Sequence, residues 1–441
     1  MNKNLFLLLT LFTALPLQAN TVESMLDNGM KIIVREDHRA PVVATQVWYR
    51  IGSTYEHDGI TGVSHVLEHM MFKGTKKLKP GDFSEIIAAN GGSDNAFTSQ
   101  DFTGYHQRIA SDRLEICLEL EADRMRNVIF LQEEFKKEVA VVQEERRWRV
   151  DNKPKSKLFE QFYATAFLSS PKRIPTIGWM GDLENLQMQD AADWYQKWYA
   201  PNNATLVVVG DVNSADVIQL ATKYFADLKP SDIQPPKQTP EIKQNGERRI
   251  KLYGQTANPY MIMGYKTPVL LGNKENRNDV YALDVLSAIL DGGSSARIAK
   301  HMLRGDEIAV EAGTSYDPFD RLAGLFLFAG TPNKGVTPEQ LEAAFTAEIK
   351  DLQDNEVSQQ ELDRVKAQVI ASKVFERDSM FYTAMQIGML DSIGHDWRIM
   401  DSYVDDIRAI TAQDVRRVAA EYFDSSQLTV ATLWPEKQDS K

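Results

Sequence analysis

The sequence predicts an α+β fold made of two similar α/β-sandwich-like halves. Two observations lead there. A polar stretch from Lys229 to Glu247, carrying Pro230, Pro235, Pro236 and Pro240, interrupts the 441-residue chain near its middle and has the composition of a linker. On either side of it, segments with strand-like and helix-like patterning recur in one order, as a duplicated plan would give. The length alone is more than one compact domain needs.

Element by element, runs rich in Val, Ile, Tyr and Thr predict strands at Lys31–Arg35 and Val42–Tyr49. A short helix around Ser64–Met70 follows, then a strand at Phe102–Arg108, two helices and a last strand at Ala204–Val209. After the linker come strands at Arg248–Tyr253 and Tyr260–Tyr265 and a helix at Val280–Leu290. A strand at Gly324–Ala329, helices at Pro338–Leu352 and Ser358–Phe375, and a strand at Gln427–Leu433 close the chain. The expected organisation is therefore 1–19 as a leader, 20–228 as the first half, 229–247 as linker and 248–436 as the second half.

The helix at Ser64–Met70 reads His65-Val66-Leu67-Glu68-His69. Residues four apart lie on one face of a helix, so both imidazoles can hold one metal ion, and the acid between them sits beside the open position. The order is H-x-x-E-H, the inverse of the commoner H-E-x-x-H. Two histidines and one further ligand, with a fourth place open to water, make a catalytic rather than a structural zinc site. With only seven histidines in the chain, such a pair is hard to ascribe to chance.

No third ligand lies nearby. The stretch from Glu133 to Val150 has neither Gly nor Pro and reads as a helix. Glu138 and Glu145 are seven apart and share a face, while Glu144 points about 100° away from Glu145. One acid of this helix can complete the metal set, and the other on its face can support a ligand from behind. Val139, Val141 and Val142 predict that part of the helix is buried.

These residues, with Leu26-Asp27-Asn28-Gly29-Met30 before the first strand, Met70-Met71-Phe72-Lys73-Gly74-Thr75 after the motif and Gly91-Gly92-Ser93-Asp94-Asn95-Ala96-Phe97-Thr98-Ser99, closely resemble the M16 zinc peptidases. That group includes pitrilysin, insulin-degrading enzyme and the mitochondrial processing peptidase. Its pattern is H-x-x-E-H followed by a distant glutamate, and here 75 residues lie between His69 and Glu145. The resemblance implies one Zn2+ held by His65, His69 and Glu145, with Glu68 as the base and Glu138 assisting catalysis. It implies that each half is a mainly antiparallel sheet packed with helices. It also implies peptide substrates that lie extended beside an edge strand near Asn95, Ala96 and Phe97. Met71 and Phe72 read as core.

The second half has lost the metal set. Superposing Val66-Leu67 on Val285-Leu286 puts Asp284, Ser287 and Ala288 opposite His65, Glu68 and His69, and Ser372 falls opposite Glu145. In M16 peptidases the C-terminal half brings an arginine and a tyrosine to the substrate carbonyl, in a segment like L-R-x-x-x-x-L-A-Y. Here Leu303-Arg304-Gly305-Asp306-Glu307-Ile308-Ala309-Val310 keeps Arg304 but has Val310 in the tyrosine's place, which removes a hydroxyl donor. Some family members are heterodimers that divide the zinc and the arginine–tyrosine pair between sister chains. The resemblance thus implies a homologous M16 partner subunit, hetero- or homodimeric. A non-catalytic assembly or chaperone subunit that has kept its metal site is the alternative.

At the N-terminus, Lys3, the apolar run Leu5–Leu17 and Leu17-Gln18-Ala19 before Asn20 read as a cleaved secretory signal. The run is shorter than the roughly 20 residues that span a bilayer. The mature chain is then exported, and periplasmic if the source is a Gram-negative bacterium. The single cysteine, Cys117, can form no internal disulfide and reads as a small buried hydrophobe. A net charge of -12 argues against nucleic acid as a partner, and no later stretch reaches transmembrane length.

Overall fold

A computed structural model describes residues 21–237, 239–272 and 277–436. The signal-peptide reading lies outside the described residues. Strands β1 (Thr21–Met25), β2 (Lys31–Glu36), β3 (Val42–Tyr49), β4 (Ser93–Thr98), β5 (Thr103–Ala110) and β6 (Ala204–Gly210) form a sheet ordered β1-β2-β6-β3-β5-β4. Strands β7 (Arg248–Gly254), β8 (Tyr260–Thr267), β9 (Ala309–Ser315), β10 (Gly324–Pro332) and β11 (Leu428–Pro435) form a second, ordered β7-β11-β8-β10-β9. Without β1, the first order maps onto the second strand for strand. Both sheets are antiparallel except for one pair each, β2 with β6 and β7 with β11. The duplicated α+β architecture read from the sequence is present.

Eight helices belong to the first half: α1 (Val63–Met70), α2 (Asp82–Ala89), α3 (Leu114–Asn127), α4 (Gln132–Arg146), α5 (Pro154–Ala166), α6 (Met180–Asn185), α7 (Met188–Trp198) and α8 (Ser214–Phe225). The second half has α9 (Arg277–Asp291), α10 (Pro338–Asp354), α11 (Gln359–Glu376), α12 (Met380–Ile393), α13 (Ile399–Ala409) and α14 (Ala412–Tyr422). The two helices expected between β5 and β6 are thus five, because short breaks such as the one before Pro154 divide the polar stretches. The helix expected over Glu133–Val150 ends at Arg146 and passes into a wider helical turn, Arg147–Asp151. Of Val139, Val141 and Val142, Val142 is buried and Val139 packs against the core, but Val141 points outward. Met71 is buried and Phe72 packs on the same core, as expected.

The central strands are apolar on both faces, and the period of two assigns each residue to a side. In β3, Val43, Val47 and Tyr49 face the first half's own helices, while Ala44 and Trp48 face away. In β6, Leu206 and Val208 face those helices, and Val207 and Val209 the opposite side. That opposite side is covered by a helix from the other half. Ala384, Ile387 and Leu390 of α12 pack on Ile33, Ala44, Trp48, Val207 and Val209. The exchange is mutual: Leu158, Phe162 and Ala166 of α5, spaced four apart, cover Tyr260, Ile262, Leu325, Ala431 and Leu433 of the second sheet. Each half therefore lends a helix to the other's sheet.

The closest approach in this exchange is at Gly388, where an added Cβ would lie 2.1 Å from Trp48 Nε1. The indole is fully buried and bonded to Gln46 Oε1 at 2.9 Å, so it has nowhere to move. Gly388→Ala is expected to cost about 1–3 kcal/mol, the usual range for overpacking a core. A melting temperature equal to wild type would show that α12 does not press on β3 this closely.

Among the described residues, 229–247 contain neither strand nor helix, yet they are not free along their whole length. Glu241 accepts from the backbone N–H groups of Leu168, Ser169 and Ser170 at 3.0, 3.0 and 2.9 Å. The segment is fastened to the end of α5 next to the second sheet. Cys117 is buried, and burial pushes its thiol up to about 12. No helix among the described residues is long and apolar enough to cross a membrane.

Candidate metal centre

The α1 helix buries Val63, Val66, Leu67 and Met70, which leaves His65, Glu68 and His69 on the face turned to a cleft. Its N-terminus is fixed by the buried Glu56, whose carboxylate accepts from Gly62 N at 2.7 Å and Ser64 N at 2.8 Å. Two of the helix's first free N–H groups are satisfied in this way. Burial pushes Glu56 up to about 7 in spite of these donors.

Opposite α1, α4 buries Phe135, Glu138, Val142 and Arg146 and brings Glu145 to the histidines. Glu145 Oε2 lies 3.7 Å from Nε2 of His65 and 3.7 Å from Nε2 of His69. Donor atoms at about 2.0–2.1 Å from a tetrahedral zinc stand about 3.4 Å apart, so Glu145 lies within a few tenths of an ångström of ligand distance from each histidine, and the three donor atoms all lie within 4.8 Å of one another. Two imidazole nitrogens and one carboxylate oxygen are also the donor chemistry zinc takes, and the residues fit the ion. Burial, reinforced by His69 and Arg149, pulls His65 down to about 3, leaving the imidazole neutral as a ligand must be.

The other acids are sorted by geometry. Glu144 is largely exposed and paired with Arg147. Glu138 Oε2 lies 3.0 Å from His69 Nδ1, and its Oε1 lies 2.7 Å from Lys73 Nζ. Burial works against the Glu138 carboxylate, but His69 and Lys73 outweigh it and hold the group below its ordinary range. Glu138 thus stands behind His69 and turns its Nε2 toward the site. Glu68 Oε2 accepts from Thr98 Oγ1 at 2.6 Å. Burial keeps Glu68 above the ordinary carboxylate range, and the nearby Glu145 adds to it.

The cleft measures about 810 Å3 and is lined by these groups, by residues 95–99 on one side and by Pro175, Thr176 and Ile177 on another. Asn95 and Ala96 both reach it from β4, the free edge of the first sheet. The Asn95 side chain folds back to accept from Ala96 N at 2.8 Å. Arg304 is elsewhere. It lies in the turn Ala299–Gly305, donates to the Ser294 carbonyl and does not line the cleft.

Three residues that join the site had no role assigned from the sequence. Thr98 holds Glu68, Lys73 holds Glu138, and Arg149 Nη1 sits 2.9 Å from Glu145 Oε1 while lining the cleft. Lys73 and Arg149 each follow a site residue by four, His69 and Glu145, a spacing that could have exposed them. Thr98 carries no such local signal.

The zinc protease PqqE of Helicobacter pylori is 33% identical over 417 residues, 93% of this chain and 92% of that protein. The chain belongs to peptidase family M16. The family models "Insulinase (Peptidase family M16)" and "Peptidase M16 inactive domain" match residues 31–178 and 185–369 of this M16 chain. The beta subunit of the mitochondrial-processing peptidase of Dictyostelium discoideum is 24% identical over 438 residues, covering 96% of the chain and 90% of the subunit. A crystal structure of a protease from Helicobacter pylori superposes with a TM-score of 0.89 at 31% identity, over 95% of this chain and all of that one. The periplasmic protease PqqL of Escherichia coli has the same fold at a TM-score of 0.78 and 18% identity, and the M16 chain matches 47% of its length.

The geometry makes a test of the third ligand direct. His65→Ala, His69→Ala and Glu145→Gln are each expected to weaken zinc binding by more than the roughly 10- to 100-fold typical of losing an outer partner, with Glu144→Gln near wild type. Zinc titration against a competing chelator measures this. Loss in Glu144→Gln with retention in Glu145→Gln would exchange the two.

Proposed function

We propose that this M16 member is a zinc-dependent endopeptidase that hydrolyses unfolded peptides or small proteins, with one zinc held by His65, His69 and Glu145. The observation that carries the reading is the convergence on one cleft of three ligand-type atoms, from His65, His69 and Glu145, with Glu68 held beside them by Thr98 and a free strand edge alongside. Relatives named zinc protease agree with it. In this reading residues 20–228 form the zinc-binding half, 229–247 the connector and 248–436 the second half, and the mature chain is exported.

Bound at these ligands, zinc supplies a Lewis acid that brings a water's pKa from near 16 to about 7 and takes up negative charge on a carbonyl oxygen. Glu68 accepts the proton of the attacking water. Thr98 holds its Oε2, which fixes the rotamer and leaves Oε1 for the transfer. The same carboxyl then returns the proton to the leaving amine as the C–N bond breaks. Glu138 orients His69, and Arg149 holds the Glu145 oxygen that does not face the histidines. A peptide pairing with β4 through its backbone is held extended with little demand on sequence, Asn95 and Ala96 forming the contact surface.

The deciding experiment is metal analysis of the purified chain together with hydrolysis of a flexible peptide, by the chain alone and with a homologous M16 chain. Bound zinc without hydrolysis in either arm would leave the assembly-subunit reading, which Val310 favours.

A further inference from the structure

Among its described residues the M16 second half has no metal set, and its Arg304 does not line the cleft, yet two of its neighbouring residues reach the cleft's supports. Asp320 and Arg321 lie between β9 and β10 and cross to the first half with opposite charges. Arg321 Nε donates to Asp101 Oδ1 at 2.6 Å, and its Nη2 donates to Thr54 Oγ1 at 2.6 Å. The guanidinium also rests on the Tyr55 ring, 4.5 Å from its centroid. Asp320 pairs with Lys172. Asp101 and Lys172 are 3% and 4% exposed, so neither finds water in place of its partner.

Each partner belongs to the base of one cleft wall. Asp101 sits in the turn 99–102 that joins β4 to β5. Thr54 N donates to Gln100 O at 2.8 Å, Ser53 N to Ser99 O at 3.2 Å, and Ser99 N to Phe102 O at 2.8 Å. This turn begins directly after Thr98, the residue that holds Glu68, and Ser99 itself lines the cleft. Lys172 lies three residues before Pro175, and Pro175, Thr176 and Ile177 line the cleft from another side. One dipeptide of the second half therefore fastens two separate walls.

We infer that Asp320 and Arg321 are a clamp by which the second half sets the position of the β4 edge relative to the 175–177 wall, and so the seating of substrate. They touch neither ligand nor substrate and are positioning residues. The inference rests on the cleft being the peptide site. It gives the metal-free half a role that needs no chemistry of its own.

Removing one member of a buried ion pair is often severely destabilising, so Arg321→Ala alone is a poor test. Arg321→Lys keeps the charge but lacks the fork needed to reach Asp101 and Thr54 together, and Asp101→Asn keeps the shape but loses the charge. Both should be purified as full chains, loaded with zinc, and followed by amide hydrogen exchange and by steady-state hydrolysis of a flexible peptide. The clamp requires exchange in residues 93–103 to quicken at least about tenfold in both variants, with α10 unchanged and zinc content at wild-type level. It also requires kcat/KM to fall about tenfold, mainly through KM. Unchanged protection of 93–103, or acceleration in α10 to the same degree, would overturn it, the second by showing a general loss of stability. If the wild-type chain hydrolyses nothing even with a homologous M16 chain added, the peptidase reading fails, while the exchange measurement still decides whether the clamp exists.

Discussion

Glu68→Gln is expected to bind zinc like the wild-type chain and to hydrolyse a flexible peptide at least about a hundredfold more slowly, the lower end of what a general base contributes. The substitution is nearly isosteric. The amide can still meet Thr98 Oγ1, which now lies 2.6 Å from the carboxylate, so the rotamer should survive. Glu68 is not among the three groups whose ligand atoms converge, so the metal should remain. What disappears is the group that takes the proton from water. Burial makes the neutral amide easier to accommodate than the carboxylate, so the metal-free variant should be no less stable than wild type. Zinc content by metal analysis and single-turnover hydrolysis together decide the matter. An active Glu68→Gln enzyme would remove Glu68 from the mechanism, and a variant without zinc would make it a ligand.

How far the molecule could be read in advance follows from the range of each signal. His65, Glu68 and His69 stand out because four residues make one helical turn, and that spacing is local. The seven-residue interval from Glu138 to Glu145 put both on one face of α4 and Glu144 off it, and the two prove to lie behind and in front of the His69 ring. Val141 misled because consecutive valines on a helix cannot all face inward. Eight of the eleven strands were legible as apolar runs, with ends missed where pairing continues past the last apolar residue, as β10 does to Pro332; β1 and β9, more polar, went unpredicted, and β4 was expected only through the resemblance. The helix exchange left no trace in the order of elements. The apolar faces of α5 and α12 say that something is covered, but whether it is their own sheet or the other half's is settled only by the completed chain. The same holds for Thr98 on Glu68, thirty residues apart, and for Arg321 on Asp101, 220 apart.

The chain alone is expected to be a poor peptidase, and its activity to rise on the order of a hundred- to a thousandfold when a homologous M16 chain carrying the tyrosine is added. The proposed zinc ligands and base lie in the first half, and the described cleft has no hydroxyl or amide side chain besides Asn95, Thr98, Ser99 and Thr176 on its walls. Of these, Thr98 is spent on Glu68 and Asn95 on its neighbour's N–H. The residue in the tyrosine's place, Val310, lies on β9, the edge of the second sheet, 65% exposed and away from its own chain's cleft. A strand so placed is presented outward, away from its own chain's cleft. The partner would bear the arginine and tyrosine and need no H-x-x-E-H of its own. The measurement is hydrolysis of a flexible peptide by the purified, zinc-loaded chain, with and without the second chain. Ordinary peptidase turnover by the chain alone would sink the requirement. Val310→Tyr separates the two kinds of pairing. It should accelerate hydrolysis if a second copy of this chain supplies the donor, and should leave the rate low if the partner is a different chain, because position 310 then never meets a zinc cleft.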